Sequence, residues 1–110
     1  MRAPLEAPRA LITGAASGIG RSTALELARR GYRVALVDID GPGLAALEEE
    51  IRSAGGVAHG FQADLASAGD IEAVAQDVLR ELGGVDLLLN NVGVAVVAPL
   101  LEISEEDWDW

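Results

Sequence analysis

Four short apolar runs, separated by three stretches of helical period, constrain this chain more than any other feature. The runs are ALIT from Ala10, RVALV from Arg33, VAHGFQ from Val57 and DLLLN from Asp86. Three are apolar almost throughout, the pattern of strands covered on both faces in a parallel sheet. VAHGFQ is mixed, which predicts a strand nearer an edge. Between the runs, Ile19, Ala24, Leu27 and Ala28 share one face of a 3.6-residue repeat. Leu44, Leu47, Ile51 and Ala54 do so next, then Ile71, Val74, Ala75, Val78, Leu79 and Leu82. Gly31, Gly55 and Gly83 follow these patterns, each where a left-handed residue would end a helix. Ser67, with Asp70 three positions on, reads as a capping box for the third helix.

The order is β-α-β-α-β-α-β with short connections. Right-handed crossovers make this an α/β fold, a Rossmann-type doubly wound parallel sheet with helices on both faces. Ser104 and Asp107, with Glu105 and Glu106 between them, announce a fourth helix whose apolar face begins at Trp108. Trp110 is the last residue of the sequence, less than two turns on, and so short a helix cannot hold itself together. The expectation is one incomplete domain over residues 1–110, with four strands, three helices and the start of a fourth.

Half of the residues are hydrophobic, enough for a core, and aromatics are so few that Leu, Val, Ile and Ala must fill it. The net charge of −10 repels phosphate backbones and argues against nucleic-acid binding. Without cysteine there are no disulfides, thiol nucleophiles or thiolate metal sites. The single histidine, His59, has no His or Cys companion and reads as an ordinary strand or loop residue, so no metal site is expected. MRAPLEAPRAL at the start lacks the apolar stretch of a signal peptide. GVAVVAPLL, from Gly93, is too short to span a bilayer, which needs about 20 residues. A soluble, cytoplasmic protein without membrane contact is expected. All eight basic residues are arginine.

TGAASGIG, Thr13 to Gly20, joins the first strand to the first helix. Its glycines, Gly14, Gly18 and Gly20, let backbone approach a ligand closely. The helix start offers unpaired N–H groups and about half a positive charge, a seat for a pyrophosphate. A tight turn that merely needs glycine is the plainer alternative. The spacing is not G-x-G-x-x-G, nor is it a P-loop, because Arg21 and Ser22 follow where Lys and Ser/Thr are needed. Asp38 ends the second strand, eighteen residues past Gly20. A carboxylate there accepts from ribose hydroxyls and repels a 2′-phosphate, which favours NAD over NADP. Capping of the next helix is the alternative role, and Asp40 could fill it.

With these residues in place, the chain resembles the first part of a short-chain dehydrogenase/reductase. TGAASGIG matches that family's T-G-x-x-x-G-x-G motif. Asp64–Leu65 matches its adenine-contacting position. NNVG at Asn90–Gly93 matches N-N-A-G, with Val92 in place of alanine, and EDWDW matches the opening of the next helix. The resemblance runs from Ala10 onward. It implies that Ser17, Gly18, Ile19 and Gly20 line pyrophosphate and ribose and that Asp38 takes the ribose diol. It also implies that Asp64 accepts from the adenine amino group, that Leu65 offers backbone contacts, and that Asn90, Asn91 and Gly93 steady the fourth strand's exit and line the adenine ribose. Ser17 and Ile39 are not the basic residues that NADP-binding members often carry nearby, which again favours NAD.

The resemblance further implies oxidation of an alcohol or reduction of a ketone, with a tyrosine acid/base, a lysine four positions later, a serine and an asparagine. None of these can be assigned here. Tyr32 is the only tyrosine, Leu36 stands four residues on, and there is no lysine. The chain is therefore expected to be truncated before the catalytic segment and inactive alone, with no catalytic residue of its own. DLLLN would become an edge, GVAVVAPLLEI would be sticky, and the isolated chain would aggregate, oligomerise or be marginally folded. A non-catalytic dinucleotide-binding module, completed by another chain, is the alternative. The complete protein is expected to be a homo-oligomer.

Overall fold

A computed structural model describes residues 7–91 of the chain. In order they form β1 (Arg9–Thr13), α1 (Gly18–Arg29), β2 (Arg33–Asp38), α2 (Gly41–Ser53), β3 (Val57–Gln62), α3 (Ala68–Leu82) and β4 (Leu87–Asn90). The strands lie in the order β3-β2-β1-β4, and every ladder is parallel. The chain walks outward from β1 to β3, then α3 returns it to the far side of β1. The direction of winding therefore reverses between β1 and β4. In open sheets of this kind, ligands bind beyond the carboxyl ends of the strands at such a reversal. Thr13 is in register with both Val37 and Asn90, so the three strand ends lie side by side.

Alternation along the strands builds two cores. Ala10, Ile12, Val34, Leu36 and Ala58 face α1 and α2, where Ala24, Leu44, Leu47 and Ile51 cover them. Ala35 and Val37, with Ala63, face Val74, Val78 and Leu82 of α3. Both faces of β2 are covered, which is why RVALV reads as an unbroken apolar run. The mixed run becomes β3, at one edge as expected, and β4 is the other edge among the described residues. His59 lies within β3, its Nδ1 3.9 Å from a Glu81 carboxylate oxygen. Among the described residues no helix is long and apolar enough to cross a membrane.

The helix faces are narrower than the periodicity suggests. On α3 a single row, Val74, Val78 and Leu82, meets the sheet, while Ala75 is exposed and Leu79 is 56% exposed. On α2, Ala54 is the exposed C-cap rather than a core residue. Ile19 does not belong to the core face of α1. It is 71% exposed, whereas Gly20 and Ala24 are buried, with Leu27 and Ala28 half-buried beside them. The helix endings follow expectation. Gly31, at φ +94°, donates to the Ala28 carbonyl (3.0 Å) while the Tyr32 amide reaches Leu27 (3.0 Å), a Schellman ending.

The capping box expected at α3 is only half formed. Ser67 Oγ accepts from the Asp70 amide (3.3 Å), but the Asp70 carboxylate does not return to Ser67. It accepts from the Asp64 amide instead (2.9 Å), and the Ser67 amide goes to the Asp64 carbonyl (2.9 Å). Asp40 caps α2, accepting from the Gly43 amide at 2.9 Å. The cap role that Asp38 might have filled is thereby taken.

Arg52, in the last turn of α2, protects the outer edge of β3. The Ala63 amide points toward β2, bonding Asp38 O, so by alternation the Ala58 carbonyl points away from the sheet. Arg52 fills that position, donating to the Ala58 oxygen from Nε (3.1 Å) and Nη2 (2.7 Å) while Glu48 pairs with it at 2.9 Å. Unpaired edge carbonyls invite strand addition, and this one is covered. Arg52→Ala is expected to lower stability by about 1 kcal/mol in urea titration, with Arg52→Lys losing less.

Candidate functional site

The three glycines of the first turn are bare for two different reasons. A Cβ built on Gly14 would lie 2.1 Å from the Asn91 carbonyl oxygen. One built on Gly20 would lie 2.2 Å from the Gly14 carbonyl oxygen and 2.9 Å from Asn91 Nδ2. These two positions let the turn pack against α1 and against the exit of β4. Gly18 is different: a Cβ there meets nothing within 4 Å, and its φ is +57°. Its bare backbone faces open space.

That space lies at the start of α1. The N-cap, Ser17, has extended backbone, makes no side-chain cap bond, and no acid stands in the first turn. The starts of α2 and α3 are both capped by side chains. Ser17, Gly18 and Ile19 are exposed, so the first-turn amides of α1 are left to solvent or a ligand. A helix start of this kind suits an anion.

Asp38 stands beside the turn, half-buried at the end of β2. Its Oδ2 accepts from the Ala16 amide (2.9 Å) and its Oδ1 from the Asp40 amide (3.0 Å). A carboxylate has about four acceptor sites, so each oxygen keeps one for a ligand donor. The Ala15 amide binds the Val37 carbonyl at 3.1 Å, which fastens the same turn to β2. Ile39, between Asp38 and the α2 cap, is 63% exposed. Gln62 Nε2 donates to its carbonyl at 3.1 Å.

Asp64 follows β3 and is exposed; its Oδ1 accepts from the Ala66 amide at 2.9 Å, leaving Oδ2 for another donor. Leu65 is anchored against the core beneath α3. Asn90 and Asn91 are drawn onto the end of β1 by Thr13. The buried Thr13 hydroxyl donates to Asn90 Oδ1 (2.8 Å) and accepts from the Asn91 amide (3.0 Å). Asn91 thereby becomes the wedge against Gly14 and Gly20. Gly93 and Val92 lie outside the described residues, as do EDWDW and the GVAVVAPLLEI stretch.

The structure brings the turn after β1 together with Asp38 and Asn91 at one edge of the sheet, and it adds Thr13, which the sequence did not single out by itself. Its signal was a hydroxyl at the end of a buried apolar strand, where a polar group needs a partner. The charges at this edge are acidic: Asp38, Asp40, Asp64 and Asp70. Arg21, in the first turns of α1, pairs with Glu50 of α2.

The family model for short chain dehydrogenases matches residues 8–110. The chain belongs to the short-chain dehydrogenase family. This short-chain dehydrogenase chain is 43% identical, over 105 residues, to D-threitol dehydrogenase of Mycolicibacterium smegmatis; the match covers 96% of the chain and 40% of that protein. It is 40% identical over 101 residues to a 3-oxoacyl-(acyl-carrier-protein) reductase of Staphylococcus aureus, covering 91% of the chain and 41% of the reductase. It thus spans about two fifths of the length of these curated relatives. Among solved structures, it superposes on a short-chain dehydrogenase/reductase from Burkholderia phymatum in complex with NAD, with a TM-score of 0.77 and 36% identity over 99% of the chain and 39% of the other. A metagenomic short-chain oxidoreductase in complex with NADP gives 0.75 and 40% identity over 93% of the chain and 47% of the other. Both nicotinamide cofactors therefore occur among its structural neighbours.

Proposed function

We propose that this chain is the cofactor-binding part of an NAD(H)-dependent oxidoreductase that interconverts an alcohol and a ketone. The observation that carries the reading is the uncapped start of α1, open over Gly18, beside a carboxylate with acceptor capacity to spare. The residues fit a dinucleotide. The amides at Ser17, Gly18 and Ile19 would hold the pyrophosphate, with Gly14 and Gly20 shaping their turn. Asp38 would take the ribose diol beside Ile39. Asp64 and Leu65 would meet the adenine. Asn90, Asn91 and Gly93 would form the wall next to the ribose. A bound nicotinamide cofactor supplies hydride acceptance and donation.

The chain's own part is to bind and orient. Tyr32 stands at the amino end of β2, opposite the site, and the 110 residues contain no lysine. A tyrosine–lysine pair for proton transfer is therefore not among these residues, and the chain alone should bind without turnover. The reading carries with it a cytoplasmic location and a homo-oligomeric complete protein. The second reading is a non-catalytic dinucleotide module completed by another chain, and it rests on the same open start of α1. Tight calorimetric binding of NAD by the stable chain, abolished in Asp38→Ala, would favour that reading. A single polypeptide with a downstream Tyr-x-x-x-Lys pair would favour the first.

Calorimetric titration tests the cofactor. NAD is expected to bind at least tenfold more tightly than NADP, because the acids at this edge oppose a 2′-phosphate and Arg21 is held by Glu50. Asp38→Asn is expected to weaken NAD about tenfold, some 1.4 kcal/mol, and to narrow the preference. NADP binding as tightly as NAD to the native chain overturns the choice.

A further inference from the structure

We propose that Asp70 is a positioning residue for the adenine end of the dinucleotide, acting through the backbone of Asp64. This rests on the reading of Asp64 given above. The segment between β3 and α3 is pinned at two points by packing and backbone: Ala63 donates to the Asp38 carbonyl (3.0 Å) and Leu65 sits against the core under α3. Asp64 projects between them, exposed. Three of its atoms are then fixed individually. Its amide donates to Asp70 Oδ2 (2.9 Å), its carbonyl accepts from the Ser67 amide (2.9 Å), and its Oδ1 accepts from the Ala66 amide (2.9 Å).

What remains is Oδ2 of Asp64, and the direction it faces is set by those three bonds. Asp70 contributes the one that comes from outside the turn, across six residues, from the first turn of α3. It is also, like the Ala66 bond to Asp64 Oδ1, a bond to a charged acceptor, the stronger kind for an amide. The helix does not depend on it in the same way. Ser67 still caps α3 when the Asp70 carboxylate is gone, since the Ser67 bond is to the Asp70 backbone amide. Loss of the carboxylate therefore loosens Asp64 while leaving the start of α3 capped.

The difference between positioning and mere support appears in a comparison of two ligands. Nicotinamide hypoxanthine dinucleotide carries a carbonyl where NAD carries the adenine amino group, so an acceptor at Asp64 favours NAD over it. In calorimetric titrations of the full chain, native protein is expected to prefer NAD several-fold. Asp70→Ala is expected to bring that ratio close to one, with the analogue's own affinity changed less than about threefold. Asp70→Asn keeps an acceptor oxygen and is expected to keep most of the preference. Asp70→Ser, which cannot span the distance, should behave as alanine does and serves if the alanine variant fails to fold. In the free protein, the Asp64 amide resonance should move in the alanine and serine variants and stay near its native position in the asparagine one. If NAD and the analogue weaken in equal proportion, Asp70 only supports the loop and the proposal is overturned. Native protein that does not distinguish the two ligands overturns the adenine role of Asp64 itself, a separate and recognisable failure.

Discussion

Alanine at Gly14 or Gly20 is expected to cost the chain its stability, whereas alanine at Gly18 is expected to cost it its ligand. At Gly14 two penalties add. The φ of +63° disfavours any L side chain, by about 1–2 kcal/mol, and the new methyl would lie 2.1 Å from a backbone oxygen of Asn91. Backbone cannot swing aside like the end of a flexible side chain, so β4 must move away from the turn, for a further ~1–3 kcal/mol. Gly20 is helical and would gain about 1 kcal/mol of helix propensity from alanine, but its methyl meets the Gly14 carbonyl oxygen at 2.2 Å and Asn91 as well. The clash wins, and a net loss of about 2 kcal/mol is expected. Gly18→Ala carries the φ penalty alone, about 1 kcal/mol, with no neighbour to displace. Thermal melts should rank Gly14→Ala as the most damaging, Gly20→Ala next and Gly18→Ala least. Calorimetry with NAD on the folded Gly18→Ala protein should show a loss of tenfold or more. Equal destabilisation by all three would mean that no division exists between packing and ligand-facing glycines.

The fold was legible in the sequence because its signals are local. Each strand is a short apolar run, each helix a periodic one, and Gly31 and Gly55 end helices by chemistry contained within a single turn. What failed was whatever depended on distance. Ile19 has the spacing of a core residue, but periodicity carries no information about what lies opposite a position, and Ile19 is left exposed. Leu79 fails for a related reason. One helix lies against one row of the sheet, so a broad apolar face is only partly used. Ser67 and Asp70 have the spacing of a reciprocal box, yet the Asp64 amide, six residues upstream, captures the carboxylate. The candidate site divides in the same manner. The glycine turn and Asp38 could be singled out from type and spacing, and Asp64 from the family resemblance. The contact that makes two of the glycines necessary, with Asn91, spans more than seventy residues of chain, and no spacing rule reaches it.

Thr13 is where that long-range contact is fastened, and removing its hydroxyl is expected to loosen both strand ends together. Thr13→Val keeps the shape and the β-branched side chain while removing a donor and an acceptor. The Asn91 amide then loses its partner at a part-buried position, at about 1–3 kcal/mol. Asn90 is exposed, so its Oδ1 can turn to water and adds little. A net loss of about 2 kcal/mol is expected, roughly 10 °C in a melt for a chain of this size. Thr13→Ser retains the hydroxyl and should stay within about 1 kcal/mol of native. The consequence for binding follows from geometry. Asn91 is the surface against which Gly14 and Gly20 pack, so a loosened Asn91 lets the turn spread and the amides at Ser17–Ile19 lose their common aim. NAD affinity should fall in Thr13→Val and persist in Thr13→Ser, although neither side chain is proposed to touch the ligand. A valine variant that melts like native would mean that the Asn91 amide finds water in place of Thr13, and that the exit of β4 and the turn after β1 are held together by packing alone.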